Sequence, residues 1–214
     1  MIYKNLIFDF DGVLAESNEI RFNGFRRLFK GFPENQIEEL VVYAKKNGGI
    51  SRYEKIDYFF QKIRGESIPE ERVQDLAAQF SDIVRQDVIK AEPVKGSVEF
   101  LRKNFSKFNF ALVSGSDQSE LRVVCRERRI DHFFKMILGS PVKKEDNIAQ
   151  LLESLRWRPD ESVYIGDSNN DLEASQGNRI DFIGRDSGLV DWDCLGITRI
   201  LDLSELEGVL GQTK

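Results

Sequence analysis

The segment LIFDFDG, residues 6–12, places two carboxylates and a glycine at the end of an apolar run. The run Ile2–Phe10 is typical of a buried strand in a parallel sheet, where both faces are covered. Ligands of open α/β sheets bind beyond the carboxyl ends of such strands. Alternation along a strand would put Asp9 and Asp11 on the same side, and Gly12 allows a sharp turn after them. The segment therefore predicts a polar site at one edge of a sheet.

Two carboxylates this close repel each other unless a cation lies between them or one of them is protonated. Magnesium is the cation that suits an all-oxygen site facing a phosphate. Taken alone, an Asp-Gly pair is more typical of an ordinary strand end followed by a turn. The interpretation of Asp9 and Asp11 as part of a metal site therefore depends on what the other strands supply.

Apolar runs of strand type alternate with helical patterns along the rest of the chain. The strand-type runs are Phe110–Ser114, Met136–Leu138, Val163–Ile165 and Phe182–Ile183, and the helical patterns include Ser97–Phe105, Gln118–Arg128 and Asn147–Leu155. Strands that alternate with helices predict an α/β fold, in which a parallel sheet is covered by helices on both faces.

Residues 16–90 interrupt this alternation with helical stripes and no convincing strand. We predict that they form a helical insert after the first strand, while residues 1–15 and 91–214 form the core. The aromatic stripe Tyr58–Phe60 lies within the insert, and its spacing is typical of core packing rather than of a cofactor site.

A second acidic cluster follows the strand Val163–Ile165, in the sequence GDSNND of residues 166–171. Asp167 is placed to complete a metal site with the first carboxylates. Asp171 has two interpretations of equal weight. It caps the N-terminus of a helix, where Asp is favoured, or it takes part in the site by bonding to the neighbouring loop or by orienting a lysine.

Two further loops carry groups that suit a phosphate. Hydroxyls and backbone N–H groups at Ser114, Gly115 and Ser116 are able to hold phosphoryl oxygens, although these residues are equally typical of a plain loop. Lys143 and Lys144 follow a strand and precede a helix, where a lysine neutralises a phosphoryl group and the nearby carboxylates. A solvated lysine pair is the alternative.

The composition narrows the classes of function. Acidic residues outnumber basic ones by 36 to 31, for a net charge of −5, which gives no reason to expect nucleic acid or an anionic membrane as a partner. No segment has the length of a transmembrane helix. His132 is the only histidine, so a conventional zinc site is excluded. Cys125 and Cys194 are the only cysteines, and we expect a reduced, cytoplasmic protein.

The four polar segments, in this order along the chain, resemble those of the haloacid dehalogenase-like hydrolase superfamily. The resemblance covers the whole chain: Asp-x-Asp-Gly at residues 9–12, Ser114 after the second strand, then the lysine pair, and Gly-Asp-Ser-x-x-Asp at residues 166–171. It implies a Rossmann-like core with an inserted α-helical cap domain between the first two motifs, as in subfamily I. Val13 stands where many members have threonine, and it is a familiar variant.

The resemblance also implies a role for each matching acidic residue. Asp9 is expected to be the nucleophile that becomes an aspartyl phosphate. Asp11 is expected to be the general acid and base, with its backbone carbonyl on Mg²⁺. Asp9 and Asp167 are the expected carboxylate ligands of the same Mg²⁺, and Asp171 is expected to support the site.

The residues that bind the phosphoryl group follow from the same resemblance. Ser114 is expected to bind it directly. The lysine of the family is expected at Lys144, because the run Gly-Ser-Pro-x-x-Lys reads like close relatives, with Lys143 as the alternative. The remaining expected contacts with the substrate in the core are Gly12, Gly115 and Ser116.

Arg52 follows a Gly-Gly pair, residues 48–49, that interrupts two helices of the insert. The break resembles the loop by which family caps project a residue over the active site, so Arg52 is our candidate for a substrate contact. Arg21 is a second candidate, and it occupies the position where the best-known mutase branch of the superfamily has a histidine. The alternative for both is a surface arginine.

These features predict a magnesium-dependent phosphatase that hydrolyses a small phosphorylated metabolite through an aspartyl phosphate. Asp11 separates the chain from the dehalogenases and phosphonate-cleaving enzymes of the superfamily, which lack a second aspartate. A phosphosugar mutase, which is an isomerase, and a catalytically silent binding protein are the alternatives. The sequence leaves the particular phosphorylated substrate and the oligomeric state open.

Overall fold

The computed structural model of the chain describes residues 3–212, which contain a six-stranded sheet. The strands are β1 (Asn5–Phe8), β2 (Asn109–Asp117), β3 (Phe134–Ser140), β4 (Ser162–Gly166), β5 (Asp181–Arg185) and β6 (Arg199–Ile200). They lie in the order β3-β2-β1-β4-β5-β6, and every neighbouring pair is parallel. The predicted α/β fold is confirmed. Ile2, the predicted first residue of the first strand, lies outside the described residues.

Helices connect the strands and flank the sheet. Between β1 and β2 lie α1 (Asn18–Leu28), α2 (Glu34–Lys46), α3 (Arg52–Tyr58), a π-helical segment (Phe59–Arg64), α4 (Glu70–Lys90) and α5 (Ser97–Asn104). The later helices are α6 (Gln118–Glu127), α7 (Lys144–Leu155), α8 (Asn169–Gly177) and α9 (Leu206–Gln212). The helices predicted in the core correspond to α5, α6 and α7. Within the described part of the chain, none of the helices combines the length and the apolar character needed to cross a membrane.

Strand β1 is shorter than predicted and ends at Phe8, immediately before the acidic segment. The carbonyl oxygen of Phe10 accepts backbone hydrogen bonds from residues 13–15, so the chain is already turning there. Strand alternation therefore does not orient Asp9 and Asp11, and that part of the prediction was wrong. The turn, rather than the pleat, positions the two carboxylates.

The centre of the sheet creates the crevice in which the site lies. Strand β1 lies between β2 and β4, and its last residue, Phe8, is opposite Leu112 on one side and Ile165 on the other. The next residue, Asp9, donates its backbone N–H to the carbonyl oxygen of Ile165 at 2.9 Å. Ligands of such sheets bind where neighbouring connections diverge, outside the carboxyl ends of the strands. The fold thus places Asp9 at that point.

Alternate residues of β1 enter the two layers of the hydrophobic core. Leu6 and Phe8 belong to a cluster that continues into the insert, whereas Ile7 belongs to a cluster shared with α7 and α8. All three side chains are fully buried, and burial of such a side chain contributes roughly 1.5–3 kcal/mol. Phe8 also meets Phe110 edge-on, with ring centroids 5.5 Å apart. The strand that leads into the site is therefore held on both faces.

The regular elements of the insert are helices, as predicted, and its interior is aromatic. The rings of Phe29 and Phe59 stack with centroids 4.1 Å apart, and Phe32 meets Phe59 edge-on at 5.2 Å. Phe59 is fully buried. The stripe Tyr58–Phe60 therefore packs inside the insert.

The insert leaves and rejoins the core at one place. The backbone N–H of Glu16 donates to the carbonyl oxygen of Glu92 at 2.9 Å, and the N–H of Val94 donates to that of Leu14 at 3.2 Å. The two connections are thus paired side by side. The division into a core of 1–15 and 91–214 and a separate cap domain of 16–90 stays a prediction.

Candidate active site

Asp9, the first residue after β1, lies beside a buried lysine. Lys144 Nζ donates to Asp9 Oδ2 at 3.0 Å, and the two residues are only 5% and 3% exposed. Asp9 Oδ1 accepts from the backbone N–H of Phe10 at 2.6 Å, and the Ser114 side chain also bonds to the carboxylate. Burial raises the pKa of Asp9 to about 7; Lys144 opposes the rise and Asp171 adds to it.

Lys144 is also held by Asp171, in the first turn of α8. Its Nζ bonds to Asp171 Oδ1, while Asp171 Oδ2 accepts from the hydroxyl of Ser168 at 2.6 Å and from its N–H at 3.0 Å. Lys144 is the first residue of α7, where a positive charge meets the positive end of the helix dipole, and the two carboxylates compensate for this. Asp171 therefore caps α8 and orients the lysine at the same time. Lys143 is exposed.

Asp167 follows β4 and is 2% exposed. Asn18 Nδ2 donates to Asp167 Oδ2 at 2.7 Å. Burial, with repulsion from Asp171 and Asp9, raises the pKa of Asp167 to about 8. One oxygen of each of these three aspartates lies within 4.8 Å of the others. Three buried carboxylates carry more negative charge than the one lysine beside two of them offsets, and a divalent cation with a preference for oxygen fits that arrangement.

Asp11 is not part of this acidic cluster, and three donors hold its carboxylate. Ser17 Oγ lies at 2.5 Å, Ser116 Oγ at 2.6 Å and Arg21 Nε at 2.9 Å. Burial alone favours the neutral form, but Arg21 and the two hydroxyls outweigh it and lower the pKa of Asp11. The carboxylate is therefore ionised and able to accept a proton. The predicted metal contact of Asp11 through its backbone carbonyl stays a prediction.

Gly12 and Gly115 lie where the chain comes too close to its neighbours for a side chain. Gly12 has a φ of +72°, and a Cβ there would lie 2.0 Å from Asp167 Oδ2. Its backbone N–H donates to the carbonyl oxygen of Ala15 at 2.8 Å. A Cβ at Gly115 would lie 2.1 Å from the carbonyl oxygen of Gly49 in the insert. Both glycines make room for a close approach, and their predicted contacts with the substrate stay predictions.

Arg21 and Arg52 are buried, 9% and 4% exposed, so the surface-arginine alternative is wrong for both. Glu120 of α6 bonds to Arg52 Nη1 at 2.6 Å and to Arg21 Nη1. Arg52 also donates to Ser81 Oγ at 2.5 Å and lies over the ring of Phe80. Against the effect of burial, the two guanidinium groups lower the pKa of Glu120 to about 2. Ionised Glu120 thereby joins the insert to the core.

A cavity of ≈ 60 Å³ separates the insert from the core and collects most of the predicted site residues. Its core side is lined by Asp9, Asp11, Ser114, Gly115, Ser116 and Asp167. Its insert side includes Arg21, Arg52, Lys55 and the apolar residues Phe22, Phe25 and Phe80. Lys144 does not line the cavity itself but bonds to Asp9, which does. Gly12 and Asp171 do not line it either.

Three residues of this site escape the sequence analysis. Asn18 holds Asp167, Glu120 joins the two arginines, and Lys55 lines the cavity. Lys55 lies three residues after Arg52 and therefore on the same face of α3, so helical periodicity is the signal that could have found it. Glu120 lies in the first turn of α6, directly after the β2 loop, which is a weaker signal.

A comparison with protein families gives the class to which this fold and site belong. Residues 6–185 match the family model described as haloacid dehalogenase-like hydrolase. The matched range includes all four polar segments. The chain belongs to the haloacid dehalogenase-like hydrolase family, and the resemblance seen in the sequence is confirmed. The prediction of an enzyme with hydrolase chemistry is confirmed at the level of this family.

Individual proteins similar to the chain include a phosphorylated carbohydrates phosphatase of Thermotoga maritima. It is 25% identical over 193 residues, which are 83% of this chain and 82% of the relative. A predicted phosphatase from Clostridium acetobutylicum has the same fold, with a TM-score of 0.80 and 18% identity over the full length of both chains. So has CbbY from Rhodobacter sphaeroides, crystallised with xylulose-(1,5)bisphosphate, with a TM-score of 0.76 and 18% identity over 95% of this chain and 96% of that one.

The acidic cluster predicts that the protein without divalent cations is less stable at high pH. Asp9 and Asp167 have pKa values raised from 3.8 to about 7 and about 8 in the folded chain. The folded state therefore binds more protons than the unfolded state between about pH 4 and 8, and stability falls as the pH rises through that range. In chelator at pH 8, Asp167→Asn should melt on the order of a few degrees higher than the unchanged protein.

The measurement is a series of thermal melts at pH 5, 6, 7 and 8. The advantage of Asp167→Asn should shrink towards pH 5, where Asp167 is already neutral. Asp75→Asn, which removes an exposed carboxylate of α4, is the matched control and should show no pH-dependent advantage. A difference between Asp167→Asn and the unchanged protein that stays constant across the series would contradict the assigned origin.

Glu120 predicts a second effect on stability. Glu120→Gln keeps the size of the side chain but removes the charge that Arg21 and Arg52 share. Loss of one partner of a buried ion pair costs about 3–5 kcal/mol, so the melting temperature should fall by roughly 6–20 °C for a chain of this size. Thermal denaturation followed by circular dichroism measures the change.

The matched control for Glu120→Gln is Glu207→Gln. Glu207 also bonds to two cations, Lys103 and Lys107, but all three side chains are well exposed to solvent. Exposed ion pairs contribute little because water screens them, so this variant should melt close to the unchanged protein. Equal shifts in the two variants would mean that the buried arginines do not depend on Glu120.

Proposed function

We propose that the chain is a magnesium-dependent phosphatase of a small phosphorylated metabolite, with Asp9 as the nucleophile. The observation that carries the proposal is the position of Asp9: a buried carboxylate at the carboxyl end of β1, bonded to Lys144 and Ser114 and open to the cavity. A carboxylate, a cation and a hydroxyl in one enclosed site suit phosphoryl transfer, which depends on positioning and charge neutralisation.

In the first step, a carboxylate oxygen of Asp9 attacks phosphorus and the bond from phosphorus to the ester oxygen breaks. The product is an acyl phosphate on Asp9 and a free alcohol. Lys144 offsets the negative charge of the transferred group, and the hydroxyl of Ser114 donates to one of its oxygens. Asp171, which holds Lys144, fixes the position of that charge.

In the second step, water cleaves the acyl phosphate and restores Asp9. Asp11 is the proposed base for this water, and its three donors already hold it in the ionised form that accepts a proton. In the first step the same group must carry the proton that the leaving alcohol takes. Arg21 lowers the pKa of Asp11 and therefore favours the second step over the first.

Asp9 and Asp167 are the proposed carboxylate ligands of Mg²⁺. Asp171 does not line the cavity that Asp9 and Asp167 line, and its Oδ1 bonds to Lys144, so its proposed part is to orient Lys144 and not to bind the ion. Bound Mg²⁺ supplies positive charge that offsets the repulsion between a carboxylate nucleophile and a dianionic phosphate.

The relatives support this class of substrate. The Thermotoga maritima relative is a phosphatase of phosphorylated carbohydrates, and the CbbY structure contains a sugar bisphosphate. A phosphosugar mutase of the same family is the alternative. Incubation with a bisphosphorylated sugar and its monophosphates separates the two, because a mutase interconverts monophosphates while a phosphatase releases free phosphate.

Asp9→Asn should abolish turnover and leave the fold intact. The amide has the size of the carboxylate but is not a nucleophile, and loss of a nucleophile costs at least about 1,000-fold in rate. Phosphate release from a panel of phosphorylated metabolites and the near-ultraviolet circular dichroism spectrum are measured on the same sample. Asp75→Asn serves as the control, with full activity expected. Residual turnover above the contaminant level would exclude Asp9 as the nucleophile.

Activity should require Mg²⁺ and disappear in chelator. The acidic cluster offers carboxylate oxygens, which suit Mg²⁺, whereas Zn²⁺ prefers nitrogen and sulfur ligands and should substitute poorly. Phosphate release is measured after chelation and again after addition of each ion. Full activity in chelator would mean that the acidic cluster has another purpose.

A further inference from the structure

Lys55 is a buried cation without a partner. It lies on α3 of the insert, is 7% exposed and lines the cavity. Within residues 3–212 its ammonium group makes no hydrogen bond or ion pair, and Asp11 and Glu54 attract it only at longer range. Lysine is rarely buried unless it is paired, because removal of its charge from water is costly. Some group that is not part of the chain is therefore expected to meet it.

The other buried cations around the cavity are already engaged. Lys144 bonds to Asp9 and Asp171, Arg52 to Glu120, and Arg21 to Asp11 and Glu120. The insert contributes three positive charges to this region, at Arg21, Arg52 and Lys55. The two carboxylates of the core that form ion pairs with them are Asp11 and Glu120. Among these three cations, Lys55 is the one to which neither carboxylate bonds.

The surroundings of Lys55 strengthen the attraction between its positive charge and an anion. Phe22, Phe25 and Phe80 form an apolar wall of the same cavity, and charges attract more strongly in such an environment than in water. Burial lowers the pKa of Lys55 to about 8, with Asp11 opposing and Lys144 adding to the fall. The amine is therefore still protonated at neutral pH.

We propose that Lys55 binds a second anionic group of the substrate, a carboxylate or phosphate other than the phosphoryl group that is transferred. The proposal rests on the proposed phosphatase function and names its substrate class: short phosphate monoesters with a second negative charge. Arg21 Nη2 is also buried without a hydrogen-bond partner. It gives the same side of the cavity a second unused donor.

The size of the cavity limits the length of the substrate. The cavity has a volume of ≈ 60 Å³, and Lys55 and Asp9 both line it. The transferred phosphoryl group takes part of this space, so only a few atoms separate it from the second anion.

The test compares esters that differ only in the distal group. The pair is 2-phosphoglycolate, which ends in a carboxylate, and 2-hydroxyethyl phosphate, which ends in a hydroxyl; ethylene glycol bisphosphate replaces the carboxylate with a phosphate. The unchanged protein should have a higher kcat/KM for one or both anionic esters than for the neutral one. The better of the two identifies the anion. Equal kcat/KM values for the neutral ester and the two anionic esters would contradict the proposal.

Lys55→Met removes the charge and keeps an apolar stem of similar length. It should lower kcat/KM for the anionic esters by about 10- to 100-fold, the worth of a charged hydrogen bond, and change the value for the neutral ester little. Lys62→Met, at an exposed lysine of the insert, is the control and should change neither. Equal losses on all esters, or no loss on any, would overturn the proposal.

The melting temperature of Lys55→Met gives a second readout, because a structural role for Lys55 predicts a change in the opposite direction. A buried ammonium without a partner destabilises the fold, so Lys55→Met should melt at the same temperature as the unchanged protein or higher. A lower melting temperature would mean that Lys55 supports the fold and would count against the proposal.

A binding experiment separates this proposal from the phosphatase itself. Calorimetry with the Asp9→Asn protein measures the affinity for phosphoglycolate and for hydroxyethyl phosphate without turnover, with and without the Lys55→Met change. Loss of the preference for phosphoglycolate in Lys55→Met supports the role of Lys55 even if the unchanged protein releases no phosphate. No preference in the Asp9→Asn protein would overturn it.

Discussion

The chain Asp9–Lys144–Asp171 is the interaction on which the site depends. One ammonium lies between two buried carboxylates, and these three groups belong to the end of β1, the start of α7 and the start of α8. A charge buried without partners is costly, so each of the three holds the others in place. The lysine also lies at the wrong end of a helix dipole, which only the carboxylates make tolerable. Three separate segments of sequence are thereby held together at the carboxyl ends of the strands.

A second set of charges governs how the insert meets the core. Glu120 of the core forms ion pairs with Arg21 and Arg52 of the insert, and Arg21 also forms an ion pair with Asp11. Asp11, the proposed base, is thus linked through Arg21 to the ion pairs of Glu120 that hold the insert against the core. The pKa of Asp11 depends on this link, since Arg21 is the largest influence that lowers it against burial. Chemistry and the position of the insert are therefore electrostatically coupled.

The sequence predicts the core of the site because strand ends in a parallel sheet converge. Asp9, Ser114 and Asp167 each follow or end an apolar run, and that alone brings them together. Lys55 of the insert and Glu120 of the core could not be found in this way, because their burial depends on how the helices of the two parts pack together. The strand β6 was missed for another reason: its two residues are too few for any hydrophobic pattern. The turn after Phe8 was missed because an apolar run does not reveal where backbone pairing stops.

At one point the main chains of the insert and the core approach so closely that no side chain fits between them. The carbonyl oxygen of Gly49 fills the space that a Cβ of Gly115 would occupy, and a Cβ at Gly49 itself would lie 2.5 Å from Ser168 Oγ. The separation of these two loops is therefore limited by the backbone at this point. A side chain such as Lys55, which bonds to no residue of the core, can change without disturbing this backbone contact, whereas Arg21 and Arg52 also hold the insert through Glu120. Substitutions at a position of the first kind alter selectivity and leave the nucleophile in place, as long as the two glycines are kept.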